Sequence, residues 1–251
     1  MTQIHVDEAM GTVFSFSLEP GSLAPPEAAA ALTAACALLH EVDQTFSTWI
    51  DDSPINQIRR AELAVGDAPS DVATVLDLCQ AAGRLSGGSF DAWGLPGGVD
   101  PTGLVKGWAI ESAIGLLVDA GFENGMLNGG GDIQVFGTPQ RIGIRSPDRA
   151  DLLACVVDVT DAIATSGVYE RGLHIIDPTT GEPAERVLSA TVVGPDLWLA
   201  DALATGLFVE GLPGLQRIAA INGYSALVID LEGNLRPSPN FPIIPLEPDQ
   251  T

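Results

Sequence analysis

Apolar and polar residues follow two periods along this chain, and segments of the two kinds come in groups. Residues 12–19 alternate and include Val13, Phe14 and Phe16, which predicts a strand. Longer apolar-rich segments predict helices over about 25–42, 71–85, 104–120, 198–208 and 212–221. Short apolar runs predict strands near 125–127, 133–136, 141–144, 154–157, 162–164, 173–176, 187–193 and 226–230, with a return at Leu235.

Strands in runs, with helices between the runs, predict an α+β fold with a largely antiparallel sheet. No internal repeat and no linker divides the chain. We therefore expect a single domain over residues 1–251, built as two intimately packed halves. The Pro-rich tail from about Pro237 is expected to be irregular.

The charge of the chain limits its partners. Asp and Glu number 33 against 11 Lys and Arg, a formal net charge of -22. Such a surface repels nucleic acid and anionic membranes, so neither is expected as a partner. A phosphate-bearing ligand would need a metal ion or a local cationic pocket. Ten of the eleven basic residues are Arg, which singles out Lys106.

The cysteines and the N-terminus indicate the compartment. Cys36, Cys79 and Cys155 are widely spaced among apolar residues, which is typical of buried free thiols. The first residues have neither a basic start nor an apolar run of signal length. No stretch is long enough to span a membrane. We expect a cytoplasmic protein without membrane insertion.

Two segments near helix or strand starts carry candidate chemistry. Met10-Gly11-Thr12 precedes the first predicted strand and, taken alone, is an ordinary turn. In the segment 100–109, Gly103 and Lys106 lie at the start of a predicted helix. A helix N-terminus presents unpaired amides to anions, and a cation there makes sense beside a bound phosphate. A solvated Lys at a helix start is an equally good interpretation.

Two further segments combine glycine or small hydroxyl residues with charged ones. In Asn128-Gly-Gly-Gly-Asp132, three glycines exceed the needs of a tight turn, which favours a ligand loop over a plain hairpin. Within 164–181, hydroxyl, cationic, imidazole and carboxylate side chains fall close together: Thr165, Ser166, Arg171, His174 and Asp177. A lone strand His is usually a core residue, but these neighbours favour a role in binding. Asp177-Pro-Thr-Thr-Gly is also a turn signal.

A carboxylate and a hydroxyl share one face of an otherwise apolar predicted helix. Asp201 and Thr205 are four residues apart, so their oxygens point from the same side. A buried carboxylate needs a partner. Carboxylate, hydroxyl, carbonyl and phosphate oxygens are ligands that Mg²⁺ accepts. We favour a magnesium site here over the alternative in which Asp201 pairs with an Arg or caps a helix and Thr205 bonds to its own helix.

These segments, taken in order, resemble the FAD:protein FMN transferases, or ApbE-like proteins. The resemblance is carried by MGT at 10–12, FS to SPIN over 46–56, FD at 90–91 and VDPTGLVKGWAIE at 99–111. It continues with NGGGD at 128–132, ATSGVYER at 164–171, HIIDPTTGEP at 174–183 and ADALATGLFVEG at 200–211. It covers roughly residues 10–235.

The resemblance implies an α+β fold similar to the T-fold class and a cleft that binds FAD as substrate. It implies Mg²⁺ held by Asp201, Thr205 and the carbonyl of Val105. His174 is implied as the base, with Lys106 and Asp201 as its catalytic companions. The residues expected to line or support the flavin site are Met10, Gly11, Thr12, Asp100, Lys106, Asn128, Gly130, Gly131, Asp132, Thr165, Ser166 and Asp177.

The implied reaction moves FMN from FAD to a Thr or Ser hydroxyl of an acceptor flavoprotein and releases AMP. Three alternatives stay open: an FAD pyrophosphatase that gives FMN and AMP, a non-catalytic FAD-binding protein, and a scaffold that only keeps the fold. The sequence departs from the family pattern at Val168, where an acid is usual, and at Glu111, which replaces the usual Asp. The segments 90–100 and 137–144 are also shorter than is usual in the family.

Overall fold

The strands that the apolar runs predict pair into antiparallel sheets. The computed structural model describes residues 2–95, 97–149, 151–167 and 175–245, and every ladder between strands in that part is antiparallel. The strands are β1 Gln3–Ala9, β2 Thr12–Glu19, β3 Asn124–Gly129, β4 Asp132–Phe136, β5 Gln140–Arg145, β6 Leu153–Val159, β7 Ala162–Gly167, β8 Ser189–Gly194, β9 Ser225–Ile229, β10 Leu235–Pro237 and β11 Ile243–Ile244. A large sheet has the order β1-β2-β3-β4-β7-β8-β9-β10, and a small one has the order β11-β6-β5.

Helices cover one face of the large sheet. They are α1 Pro25–Phe46, α2 Pro54–Arg59, α3 Ser70–Leu85, α4 Thr102–Ala120, α5 Leu197–Glu210 and α6 Gly214–Ala219, with a 3₁₀ turn at Val65–Asp67. Helix α4 packs between α1 and α5, and α5 lies against β7 and β8. The expected α+β class, with antiparallel sheets and packed helices, is confirmed.

Alternation along the strands divides the interior into two apolar cores. Phe14, Phe16 and Leu127 point from the large sheet into the core under the helices. Ile133 and Val135 point from β4 to the opposite face, where they meet the small sheet. Since successive side chains of a strand face opposite ways, the large sheet contributes to both cores.

The two helices that build the site are apolar on nearly every side. In α5, residues 199–204 and 206–209 are buried, and in α4 the buried set extends from Leu104 to Leu117. A helix without a polar face is enclosed by other elements. The polar residues Lys106, Asp201 and Thr205 of these helices accordingly face a cleft, whereas Asp119, near the end of α4, is exposed.

Two elements differ from the sequence-based prediction. Strand β1 forms in a segment with no predicted structure and pairs along its length with β2. Helix α2 forms between the first two predicted helices, where no element is predicted. Pro54 occupies its first turn, and the Ser53 hydroxyl accepts a hydrogen bond from the Asn56 amide at 3.2 Å. A six-residue helix contains too few turns to show an apolar period, so its cap and its proline are the only signals.

Some boundaries also move. Helix α3 begins at Ser70, one residue before its predicted start, and α6 is shorter than the predicted helix. In the tail, Ile243–Ile244 pairs with β6, which differs from the irregular conformation predicted there. In the predicted strand 173–176, the first two residues lie outside the described ranges, and Ile176 forms an isolated bridge with Pro183.

Candidate active-site cleft

A cleft of about 480 Å³ opens where the start of α4, the end of β7 and the middle of α5 meet. Its volume lies within the range of small-molecule sites. The described residues that line it are Ser89, Phe90, Asp91, Leu95, Asp100, Thr102, Gly103, Lys106, Gly130, Thr165, Ser166, Gly167, Ile175, Ile176, Pro178, Asp201 and Thr205. Seven of the predicted site residues are in this set, although they come from four separate segments of the sequence.

Asp201 is held by close contact between α4 and α5. The Gly107 amide donates a hydrogen bond to Asp201 Oδ2 at 3.0 Å. A Cβ on Gly107 would lie 2.6 Å from the Leu197 carbonyl oxygen and 3.0 Å from Asp201 Cβ. Only a glycine lets the two helices approach this closely, and the approach orients the Asp201 carboxylate at the cleft.

Lys106 is paired with a buried carboxylate. Its ammonium forms an ion pair with Asp132, and its Nζ lies 4.0 Å from Asp201 Oδ2. Asp132 is 1% exposed, and its Oδ1 accepts a hydrogen bond from the Thr165 amide at 3.2 Å. Since a buried carboxylate is stable only when paired, Asp132 fixes both the lysine and the end of β7.

Hydroxyl groups connect β7 to its neighbours beside the cleft. Thr205 Oγ1 on α5 lies 3.3 Å from Ser166 Oγ. On the adjacent residue, Thr165 Oγ1 lies 2.9 Å from Thr191 Oγ1 of β8. Because Thr205 is one turn after Asp201, its hydroxyl and the Asp201 carboxylate both reach the cleft, as the four-residue spacing predicts.

Two glycine turns lie side by side at one end of the large sheet. Met10 and Gly11 both have positive φ and connect β1 to β2, while Gly130 and Gly131 connect β3 to β4 in the same way. Strands β2 and β3 are neighbours, so a Cβ on Gly130 would lie 2.7 Å from Thr12 Oγ1.

The NGGGD segment is both a hairpin turn and part of the cleft. The Gly131 amide donates to Asn128 Oδ1 at 3.0 Å, so Asn128 closes the turn. Gly130 lines the cleft. The two interpretations of this segment, ligand loop and hairpin, are therefore compatible.

Asp177 and Asp100 organise the backbone beside the cleft. The Asp177 carboxylate accepts hydrogen bonds from the Thr179 hydroxyl and amide at 2.6 and 2.9 Å, and these bonds lower its pKa despite burial. Arg186 lies 3.6 Å from the same carboxylate. Asp100 accepts from the Thr102 hydroxyl and amide at the start of α4. Both carboxylates stabilise turns that carry lining residues.

The electrostatic balance of the cleft is negative. Three carboxylates line it, those of Asp91, Asp100 and Asp201. Of the described lining residues, Lys106 alone carries a positive charge, and that charge is paired with Asp132. A diphosphate entering this cleft would need an additional cation.

The sequence profile described as the ApbE family matches residues 10–94 and 95–228, which is most of the chain. The chain belongs to the ApbE family. Its similarity to curated members is partial in length. It is 37% identical over 147 residues to the FAD:protein FMN transferase of Vibrio cholerae, an alignment that covers 52% of this chain and 44% of that protein. It is 36% identical over 157 residues to the FAD:protein FMN transferase of Rhodobacter capsulatus, covering 57% and 30%. The alignments thus span less than half the length of these relatives.

Solved ApbE structures share the whole fold. The ApbE protein of Thermotoga maritima superposes with a TM-score of 0.83 at 22% identity, covering 95% of this chain and 97% of that one. The flavin transferase ApbE of Vibrio cholerae superposes with a TM-score of 0.81 at 25% identity, covering 94% and 96%. The arrangement of sheets and helices is therefore that of the ApbE family.

The predicted site residues of this ApbE-family chain divide into three groups. Those that line the cleft are Asp100, Lys106, Gly130, Thr165, Ser166, Asp201 and Thr205. Those that are described but are not among its lining residues are Met10, Gly11, Thr12, Val105, Asn128, Gly131, Asp132 and Asp177. His174 lies outside the described residues, although Ile175, which follows it, lines the cleft.

Sequence reasoning missed several lining residues. The apolar wall includes Phe90, Leu95, Ile175 and Pro178, and a single apolar residue in a loop gives no signal of a ligand site. Asp91 is part of a motif that supports the family resemblance, yet its position in the cleft was not predicted. The role of Gly107 could not be predicted from the sequence, because the helix that it contacts is far away in the chain.

The donor set at the cleft suits a hard cation. Among the described residues, no cluster of three His, Cys, Asp or Glu side chains could ligate a metal. A metal at Asp201 would therefore take one carboxylate, the Thr205 hydroxyl, backbone carbonyl and substrate oxygens, which is how Mg²⁺ commonly binds.

Within the described ranges, none of the helices has the length and apolar character needed to cross a bilayer.

Proposed function

We propose that this protein is a magnesium-dependent FAD:protein FMN transferase. It moves FMN from FAD to a Thr or Ser hydroxyl of an acceptor flavoprotein and releases AMP. The proposal rests on the family, on the similarity to FAD:protein FMN transferases of Vibrio cholerae and Rhodobacter capsulatus, and on the cleft.

The observation that carries the proposal is the pairing of Asp201 with Thr205 in a cleft that is short of positive charge. A diphosphate brings further negative charge to a site with three carboxylates and one lysine. Only a cation held by such oxygens makes binding of a dinucleotide favourable there. We assign its ligands to Asp201, Thr205 and the carbonyl of Val105, which is buried in the first turns of α4.

When bound, Mg²⁺ supplies charge neutralisation for the diphosphate and for the AMP leaving group. The residues of the chain orient and protect the reacting groups. The Gly107 amide fixes Asp201, and Asp132 fixes Lys106 so that its ammonium faces the cleft. The apolar wall of Phe90, Leu95 and Ile175 offers a surface for a flat aromatic ring and excludes water.

In the proposed reaction, the acceptor hydroxyl oxygen attacks the FMN-side phosphorus of FAD. A new P–O bond forms, the P–O bond to the bridging oxygen breaks, and AMP leaves. The proton of the hydroxyl goes to His174, which acts as the general base. With water in place of the hydroxyl, the same steps give FMN and AMP.

The matched pair Asp201→Asn and Asp119→Asn tests the metal assignment. Both changes remove one carboxylate charge, but Asp119 is exposed near the end of α4 and away from the cleft. Asp201→Asn should lower Mg²⁺-dependent AMP release from FAD by about 100-fold or more, because the charge that holds the cation is gone. Asp119→Asn should keep wild-type release.

Normal Mg²⁺-dependent turnover in Asp201→Asn would refute the metal assignment. AMP and free FMN, without any labelled acceptor, would favour the pyrophosphatase. Tight binding of FAD without AMP release would favour a flavin-binding protein.

A further inference from the structure

Helix α5 begins on a cap that comes from another helix. Asp196 is its N-cap residue, but the Asp196 side chain makes no cap bond to α5 and instead accepts a hydrogen bond from the Tyr224 hydroxyl at 2.9 Å. The amides of Leu197 and Trp198 donate to Glu111 Oε2 on α4 at 3.0 and 3.3 Å. The first amides of a helix have no partner within it, so Glu111 supplies both an acceptor and a favourable negative charge.

The same face of α4 holds α5 at a second point. Gly107 lies four residues before Glu111 and therefore on the same side of α4. Its amide donates to Asp201 Oδ2 at 3.0 Å, and it has no room for a Cβ against the Leu197 carbonyl. Thus Leu197 is held by Glu111 at its amide and faces Gly107 at its carbonyl.

Apolar packing alone does not fix the position of α5 along its own axis. The helix is buried mainly through Leu, Ala, Val and Phe, and apolar burial is favourable in many registers because it has no direction. Hydrogen bonds require defined distances and angles. The two amide bonds to Glu111 are directional and lie at the end of α5 that precedes Asp201 by only one turn.

We propose that Glu111 is a positioning residue for Asp201. By capping α5, Glu111 sets the position of this helix along its axis relative to α4. It thereby keeps Asp201 and Thr205 aligned with Lys106 at the cleft. The inference deepens the function proposed above and rests on it for the role of Asp201.

The structural part of the test needs neither metal nor FAD. The backbone amide resonance of Gly107 reports its hydrogen bond to Asp201, and it is followed by NMR in Glu111→Ala and Glu111→Gln. In Glu111→Ala we expect the Gly107 resonance to shift and the Leu197 and Trp198 amides to lose protection from hydrogen exchange. Glu111→Gln keeps an acceptor oxygen, so it should stay close to the wild type in all three amides.

A matched control removes a helix cap elsewhere. Glu27 accepts a hydrogen bond from the Ala24 amide at the start of α1, so Glu27→Ala also deletes a capping Glu. It should leave the Gly107 resonance unchanged. If Glu111→Ala does not fold, Glu111→Asp replaces it: its carboxylate is one methylene shorter, and it should shift the Gly107 resonance in the same direction.

The functional part follows AMP release at increasing Mg²⁺. The half-saturating Mg²⁺ concentration should rise about fivefold in Glu111→Ala. The loss of an ordinary helix cap costs about 1 kcal/mol, and this free energy is about a fivefold change in an equilibrium constant. It should stay within about twofold in Glu111→Gln, because the acceptor that sets the helix position remains.

An unchanged Gly107 resonance in Glu111→Ala, with exchange altered only at Leu197 and Trp198, would show a purely local cap and overturn the proposal. A shifted Gly107 resonance with an unchanged Mg²⁺ dependence would overturn it as well. If the wild type releases no AMP, the proposed function fails, while the Gly107 resonance still decides whether Glu111 positions Asp201.

Discussion

At the scale of single residues, the cleft depends on the partners of its buried carboxylates. Asp132 forms an ion pair with Lys106 and accepts a hydrogen bond from the Thr165 amide, and Asp201 accepts one from the Gly107 amide. Each of these interactions joins two elements, so a substitution at one residue alters both the stability of the fold and the geometry of the cleft.

Gly107→Ala should destabilise the protein by about 1–3 kcal/mol, because its Cβ would lie 2.6 Å from the Leu197 carbonyl oxygen of the backbone. Gly115→Ala on the same helix is the control. Gly115 is exposed with no atom within 4 Å of its Cβ, so that change should stabilise by up to about 1 kcal/mol. Urea unfolding measures the change in the free energy of unfolding for each variant. Equal changes in Gly107→Ala and Gly115→Ala would contradict the close helix contact.

The Lys106–Asp132 pair should show strong coupling. Lys106→Met leaves Asp132 buried without its ammonium, which should cost about 3 kcal/mol. The double variant Lys106→Met with Asp132→Asn should lose less than the two single changes together, because no unpaired charge remains. A double-mutant cycle from urea unfolding measures the coupling, and strict additivity would count against the pair.

The candidate site was partly predictable at this scale. Asp201 and Thr205 could be found because both lie on one helix, where a four-residue spacing fixes their relation. Lys106 could be found because it is the sole lysine. The cap of α5 could not be predicted from the sequence. Glu111 is 86 residues away from Leu197, and only the packing of α4 on α5 joins them.

At the scale of elements, the β9–β10 hairpin is held by one carboxylate. Burial favours the neutral form of Asp230, but the Asn234 amide at 2.8 Å and the Arg236 guanidinium at 2.8 Å outweigh it. Together they lower the pKa of Asp230 to about 2 from its ordinary value of 3.8. The carboxylate therefore stabilises the folded state above the ordinary pKa, and this contribution is lost as the pH falls towards the lowered one.

Asp230→Asn should remove that pH dependence. At about pH 7 the wild type should have the larger free energy of unfolding, and the difference between the two proteins should shrink as the pH falls from about 4 to about 2. Urea unfolding over this range measures the difference. A difference that stays constant or grows on acidification would show that Asp230 is not stabilised as a charge.

The long elements were the predictable ones. Helices α3, α4 and α5 and most strands lie within a few residues of their predicted positions, because each contains several apolar periods. Helix α2 and strand β11 are too short for a period, and β11 exists only through its pairing with β6. The order of strands in the large sheet also depends on long-range pairing, which local pattern does not encode.

At the scale of the whole molecule, charge governs the approach of the proposed substrate. A net charge of -22 repels the FAD diphosphate at long range. Raising NaCl from about 10 mM to about 150 mM shortens the Debye length from about 30 Å to about 8 Å, so FAD should associate faster. Stopped-flow flavin fluorescence measures the rate, with uncharged riboflavin as the control. A slower FAD association at higher salt would indicate that a local positive field dominates.

We propose that the cleft transfers FMN from FAD with the help of Mg²⁺, and a single experiment that follows both products tests this function. The wild-type protein is incubated with FAD and candidate acceptor peptides, with Mg²⁺ or with a chelator, and AMP and peptide masses are measured by mass spectrometry. We predict AMP release only with Mg²⁺, together with a peptide that has gained the mass of FMN at a Thr or Ser. Retention of intact FAD in the presence of Mg²⁺, without AMP under any condition, would contradict the proposed function.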